Sequence, residues 1–239
     1  MELDASLLRS RRVQAFVALT AAIVAWFEVA PHLGYAGSTW SITIVAAAVM
    51  PATLLLIYLA LPLWNRRWVF PAALVLLVAA VACWQFDWGL PGNFAKLGAA
   101  TFLGWAFLSL FEELSWVVIV AAIIPFVDAI SVWRGPTHTI TTHHIEVYTS
   151  VSIAFVVPGG YAAYLGPPDV LFYALFLAAA VRWSLRPRLT WLAITAMYSI
   201  TIGIAYTVDV SGLPALPFLS FGFLAANADL LFAKLRSAR

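Results

Sequence analysis

Apolar residues along this chain neither alternate nor recur every third or fourth position. They come in long unbroken runs separated by short polar breaks. The runs are Val13–Ala30, Trp40–Leu61, Trp68–Phe86, Leu97–Phe111, Ser115–Trp133, Pro168–Leu185, Leu189–Val208 and Leu213–Phe232. Most approach the roughly 20 apolar residues a helix needs to cross the hydrocarbon core. Being apolar on every side, they lack the two-residue period of a membrane barrel strand. The pattern predicts an all-α polytopic membrane protein of about eight transmembrane helices, by the same length rule. Leu97–Phe111 is the weakest of the eight, because it is short and holds Gly98 and Gly104.

Composition agrees with this reading. Of 239 residues, 64% are hydrophobic and 10% charged, too few charges to cover the surface of a soluble domain. Cys83 is the only cysteine, so no internal disulfide exists. The first run is too long for a cleaved leader and lacks a small-residue exit, so it is expected to be retained. The net charge of +2 gives no reason to expect a nucleic-acid partner.

Charge position sets the expected orientation. Arg9, Arg11 and Arg12 precede the first run; Arg66 and Arg67 follow the second. Arg182, Arg186 and Arg188 flank the turn after the sixth, and Lys234, Arg236 and Arg239 end the chain. With eight spans these all fall on one side, leaving only Lys96 and Arg134 on the other. The positive-inside rule then makes the protein a multi-pass cell-membrane protein with both termini cytoplasmic. Arg134–Pro167 becomes an outer segment. Within it Pro158-Gly159-Gly160 breaks an apolar stretch that would otherwise suggest a ninth span, and Thr149, Val151, Ile153, Phe155 and Val157 favour a short strand.

Two carboxylates stand out. An aspartate within a span costs at least ~2.5 kcal/mol on insertion scales, so a functional or paired role is the default for Asp128. Asp169 follows Pro167-Pro168 at a helix start, where a carboxylate also suits the helix dipole. Asp128 lies six residues before Arg134, ~9 Å below the outer helix end at ~1.5 Å per residue. Asp169 opens its helix at the same face, so both can meet in one shallow layer. Close carboxylates cannot both ionise cheaply; one can act as base on water and the other as acid on a carbonyl.

Three stretches, in order, resemble the GxGD-type intramembrane aspartyl proteases, the family of presenilin and signal peptide peptidase. They are "ELSWVVIVAAIIPFVDAISVWRGPT", "YLGPPDVLFYALFLAA" and "GLPALPFLSFGFLAANAD". Together they cover Leu114 to Asp229. The resemblance implies a presenilin-like fold in residues 112–239, with residues 1–111 as amino-terminal transmembrane helices. It implies Asp128 and Asp169 as the catalytic pair. Gly166 and the tripeptide Pro214, Ala215 and Leu216 would shape the site and hold substrate. The implied activity is hydrolysis of peptide bonds in transmembrane segments, with the bilayer as surroundings, no cofactor and no metal. Substrate would unwind and pair as a strand, with Val151–Val157 as the candidate edge. Cytoplasmic termini imply a site facing outward, as in the signal-peptide-peptidase branch, and substrates of type II orientation.

The chain departs from the family twice. Val127 stands where a tyrosine is usual, removing a hydroxyl. The family's GxGD becomes Gly166-Pro167-Pro168-Asp169, so Pro168 replaces the second glycine; proline fixes φ and lacks an N–H donor, where glycine lets another backbone approach.

Other polar residues have plainer readings. His138, His143, His144 and Glu146 could bind a divalent ion, but such spacing in a polar loop reads as solvated surface. Glu28 and His32 form an i,i+4 pair. Glu112 and Glu113 sit at an inner turn, and Asp209 ends the seventh run. Trp40, Trp68, Trp88, Trp116 and Trp133 fall where interface anchors belong. Two other classes of function fit the same residues. One is a non-catalytic homologue that binds transmembrane helices as a chaperone or assembly factor. The other is a proton-coupled transporter using the carboxylates as relays.

Overall fold

The computed structural model of the chain describes residues 11–35, 37–160, 162–208 and 213–237. The protein is mostly helical. The long helices are α1 (Arg11–Val29), α2 (Ser38–Leu63), α3 (Val69–Gln85), α4 (Gly89–Leu108) and α5 (Leu114–Arg134). Two short helices, α6 (Pro136–His143) and α7 (Ile145–Val151), lead to strands β1 (Ile153–Val156) and β2 (Ala162–Leu165). The chain then continues through α8 (Pro167–Arg182), α9 (Pro187–Val208) and α10 (Leu216–Ser237). Among the described residues, five helices are long and apolar enough to cross a membrane: those starting at Arg11, Ser38, Leu114, Pro187 and Leu216. The helical content and these five helices fit an all-α membrane protein.

Helix α8 is the core. Every side chain from Tyr173 to Ala180 is buried, enclosed by α4, α9, α10 and, lightly, α5. A helix buried all round must be apolar all round, and Ala178-Ala179-Ala180 lets neighbours approach closely. At Gly104 of α4 the backbones come close: a Cβ there would lie 2.2 Å from the Leu171 carbonyl oxygen. The two glycines that weakened the sequence reading of this helix therefore belong to a longer element, which starts at Gly89 rather than Leu97.

Helix α2 is interrupted by a π segment, Val45–Val49, just before Pro51. Proline has no N–H to give to the preceding turn, and the Ser199 hydroxyl donates to the Ala46 carbonyl there at 2.6 Å. Polar backbone at membrane depth needs such a substitute partner. At the basic helix ends, Arg12 donates to the Tyr58 and Leu59 carbonyls, and Arg182 to that of Leu108 at 2.9 Å. These cations bind carbonyls near the ends of neighbouring helices as well as biasing charge.

The segment between α5 and α8 differs from expectation. Thr149 and Val151 lie in α7, and the strand starts only at Ile153. β1 pairs antiparallel with β2, Ile153 opposite Leu165 and Val156 opposite Ala162. Gly159 and Gly160, at φ of +90° and +81°, supply the left-handed turn between them, which side chains with a Cβ resist.

Candidate active site

Asp128 lies on α5, three residues after Pro125 and partly exposed. Its Oδ2 accepts the Leu216 amide at 3.0 Å, and the Ala215 main chain faces the same carboxylate. Leu216 is the first residue of α10. The first four amides of a helix have no internal partner, and the dipole makes that end attractive to a carboxylate. Pro214 ends the approach to this helix start and is buried, as is Leu216. The tripeptide thus sets the amino terminus of α10 against a carboxylate 88 positions earlier in the chain.

Asp169 is treated the same way by its own helix. It occupies the third position of α8, and its Oδ2 accepts the Gly166 amide at 3.1 Å. A side chain at this position reaching back to the preceding cap is half of a capping box. Pro167 and Pro168 fill the first two positions, where the missing N–H would have no helical partner anyway. Pro168 therefore removes no internal hydrogen bond. It is exposed, and lines a cavity between α8 and α3, α4 and α7. Gly166 has an ordinary extended backbone, but a Cβ on it would sit 3.1 Å from Asp169 Oδ2. Glycine here makes room for the carboxylate.

The two carboxylates, each at a helix amino terminus, lie within electrostatic range of one another. Three tyrosines that the sequence reading missed gather here, two of them within range of both acids. Tyr148 of α7 lies within the same range of both acids. Tyr198 of α9 donates its hydroxyl to the Asp169 carbonyl at 2.9 Å. It stacks on Tyr173, with ring centroids 5.9 Å apart, and the Tyr173 hydroxyl bonds Thr195 at 2.7 Å. The available signal was chemical: a hydroxyl inside an apolar helix needs a partner. Val127 faces outward, 59% exposed.

Beside this layer lies the hairpin. Asn93 of α4 donates to the Ala154 carbonyl at 3.0 Å and accepts the Ala154 amide at 2.7 Å. The Trp26 indole donates to the Val156 carbonyl at 2.8 Å. In an antiparallel pair the backbone groups of alternate residues point away from the partner strand. Those of Ala154 and Val156 are therefore the outer edge of β1, and side chains cap them. By the register, Ala162 and Tyr164 carry the outer edge of β2, and no hydrogen bond to it occurs among the described residues. The open edge is β2, not the Val151–Val157 stretch expected from sequence. It runs through Leu165 and Gly166 directly into the helix of Asp169.

Asp209 lies outside the described residues, as does the side chain of His138. Glu28, His143, His144 and Glu146 are exposed.

Known protein families, curated proteins and solved structures were compared with this chain, and none matches.

Proposed function

We propose that this protein is an intramembrane aspartyl protease of the presenilin and signal-peptide-peptidase type, and that Asp128 and Asp169 are its catalytic pair. The observation that supports this most is the convergence of two carboxylates from separate helices, each at a helix amino terminus, beside an unpaired strand edge. In the reaction one carboxylate takes a proton from water, whose oxygen bonds to the scissile carbonyl carbon. The other gives its proton to the carbonyl oxygen. Collapse of the tetrahedral species breaks the C–N bond, and the nitrogen leaves with a proton from the pair. Substrate is an unwound transmembrane segment held along β2 by main-chain hydrogen bonds, with Gly166 and Pro214-Ala215-Leu216 bordering the strand.

Eight membrane-crossing helices belong to this reading, α1 to α5 and α8 to α10, with both termini cytoplasmic and the carboxylates near the outer face. The clustering of Arg66, Arg67, Arg182, Arg186 and Arg188 at one set of helix ends supports it.

The test is cleavage of reporter transmembrane segments by purified, reconstituted protein. Asp128→Asn and Asp169→Asn each keep the acceptor oxygen that the facing amide uses, so both variants should fold. Cleavage should fall by ~10²–10⁴-fold in each, the usual weight of general acid–base catalysis. Type II segments should be cut in preference to type I. Equal cleavage by wild type and both variants would reject the assignment.

One observation favours a second reading, a homologue that binds transmembrane segments without cutting them. Asp169 already has a structural task, capping its own helix through Gly166. Segment binding with no cleavage, unchanged in Asp169→Asn, would support that alternative.

A further inference from the structure

Between α3, α4, α7 and the start of α8 lies a cavity of about 890 Å³, walled by side chains such as Leu77, Val81, Leu103, Phe107, Leu171 and Phe172. Its size falls within the range of ligand sites, ~300–1,000 Å³. A second chamber of about 190 Å³ adjoins it at the turn between α3 and α4, lined by Asp87, Trp88, Gly89 and Gly92. Ala80, Trp84, Lys96 and Ser150 line both. The larger chamber is an apolar slot, and the smaller one forms a mouth that adds Asp87 to Lys96.

The mouth carries one charge of each sign. Lys96 donates to the Ser150 and Ser152 carbonyls, and an ammonium has three donors, so one remains for a ligand. Neither Lys96 nor Asp87 forms an ion pair among the described residues. Asp87 is exposed, at φ 55° in the turn. Trp84 and Trp88 at the same level are 63% and 60% exposed, as aromatic side chains at a headgroup boundary are.

We propose that these two chambers bind one phospholipid with a primary-amine zwitterionic headgroup. Its phosphate sits against Lys96, its ammonium against Asp87, and its acyl chains fill the slot. An anionic lipid satisfies Lys96 but meets the Asp87 charge. A choline headgroup carries the right charges but has no N–H to donate to the Asp87 carboxylate. The lining includes Pro167 and Pro168, so the lipid also packs against the segment that orients Asp169. The site stands on its own lining and does not depend on proteolysis.

Native mass spectrometry of the full chain, delipidated and then exposed to equal amounts of phosphatidylethanolamine, phosphatidylglycerol and phosphatidylcholine, tests this directly. Phosphatidylethanolamine should be retained over each of the others by about tenfold, the ratio one charge-assisted hydrogen bond supplies. Leu103→Trp, which fills the slot, should abolish retention. Asp87→Asn keeps a residue type that tolerates the left-handed turn, so it should fold; it should erase the preference over phosphatidylcholine. Equal retention of the three lipids by wild type, or an undiminished preference in Asp87→Asn, overturns the proposal. So does full retention by Leu103→Trp.

Discussion

Asn93 spends its whole amide on one backbone residue, donating to and accepting from Ala154. It does for β1 what a third strand would do, and it is 6% exposed. Asn93→Ala leaves a buried donor and acceptor unmet, each costing ~1–3 kcal/mol. The expected outcome is a drop of that order in unfolding free energy, read by denaturant titration in detergent, with cleavage lowered because the hairpin supports β2. Pro168 makes a contrasting case. Its missing amide would have no helical partner, so Pro168→Gly should weaken the start of α8 only slightly, by ~1 kcal/mol or less of backbone entropy. If the family's glycine serves close backbone approach, the same substitution raises cleavage. An unchanged or lower rate in a folded variant would show that this proline does not limit the site. Both residues are plain in the sequence. What was not legible is that Asn93 meets a strand 61 positions later, since nothing local to "PGNFAK" specifies that partner.

At the scale of elements, the hairpin turns on which of its two edges is open. The expectation from β-branched residues put the edge on Val151–Val157, and the strand is indeed there from Ile153, but side chains of Asn93 and Trp26 close it. Strand propensity describes how a residue fits a pleated, half-buried surface; it carries no information about which edge the rest of the molecule covers. β2, "AAYL", has weaker strand character and is the edge left open. Tyr164→Pro deletes an outward amide without touching the bonds between the strands, a position where proline is tolerated. The hairpin should survive, while affinity for a transmembrane substrate falls about tenfold, as the loss of a main-chain hydrogen bond allows. Competition binding with a non-cleavable segment measures it. Unaltered affinity would remove β2 as the docking edge. The helix amino termini teach the same lesson. That "PPD" starts a helix was readable from proline and carboxylate preferences. That α10 would aim its first amide at Asp128 was not readable, because the two lie 88 positions apart.

For the whole molecule the outward-facing side chains decide the environment. Val75, Val78, Phe126 and Phe232 are each more than 65% exposed, a costly surface in water and a natural one against lipid tails. Orientation remains a matter of charge. Cys83 is the only cysteine, so a Cys83→Ser background accepts single reporter cysteines. A cysteine at Gly160 should react with an impermeant thiol reagent added outside intact cells. One at Arg67 should react only after permeabilisation. The reverse result would invert the protein and move the candidate active site to the cytoplasmic face.

The sequence by itself determined the environment, the helical class and the near-positions of the long helices, because length and unbroken apolarity are properties of one segment in a bilayer. It also singled out Asp128, because a lone acid in such a segment is costly wherever the segment sits. Only the tertiary structure decided which carboxylate meets which helix end, which strand edge stays open, and that a glycine at position 104 lets α4 press onto α8. Those outcomes depend on partners tens of residues apart, and they follow from how close two backbones come and which donors and acceptors are still unpaired once the helices have packed.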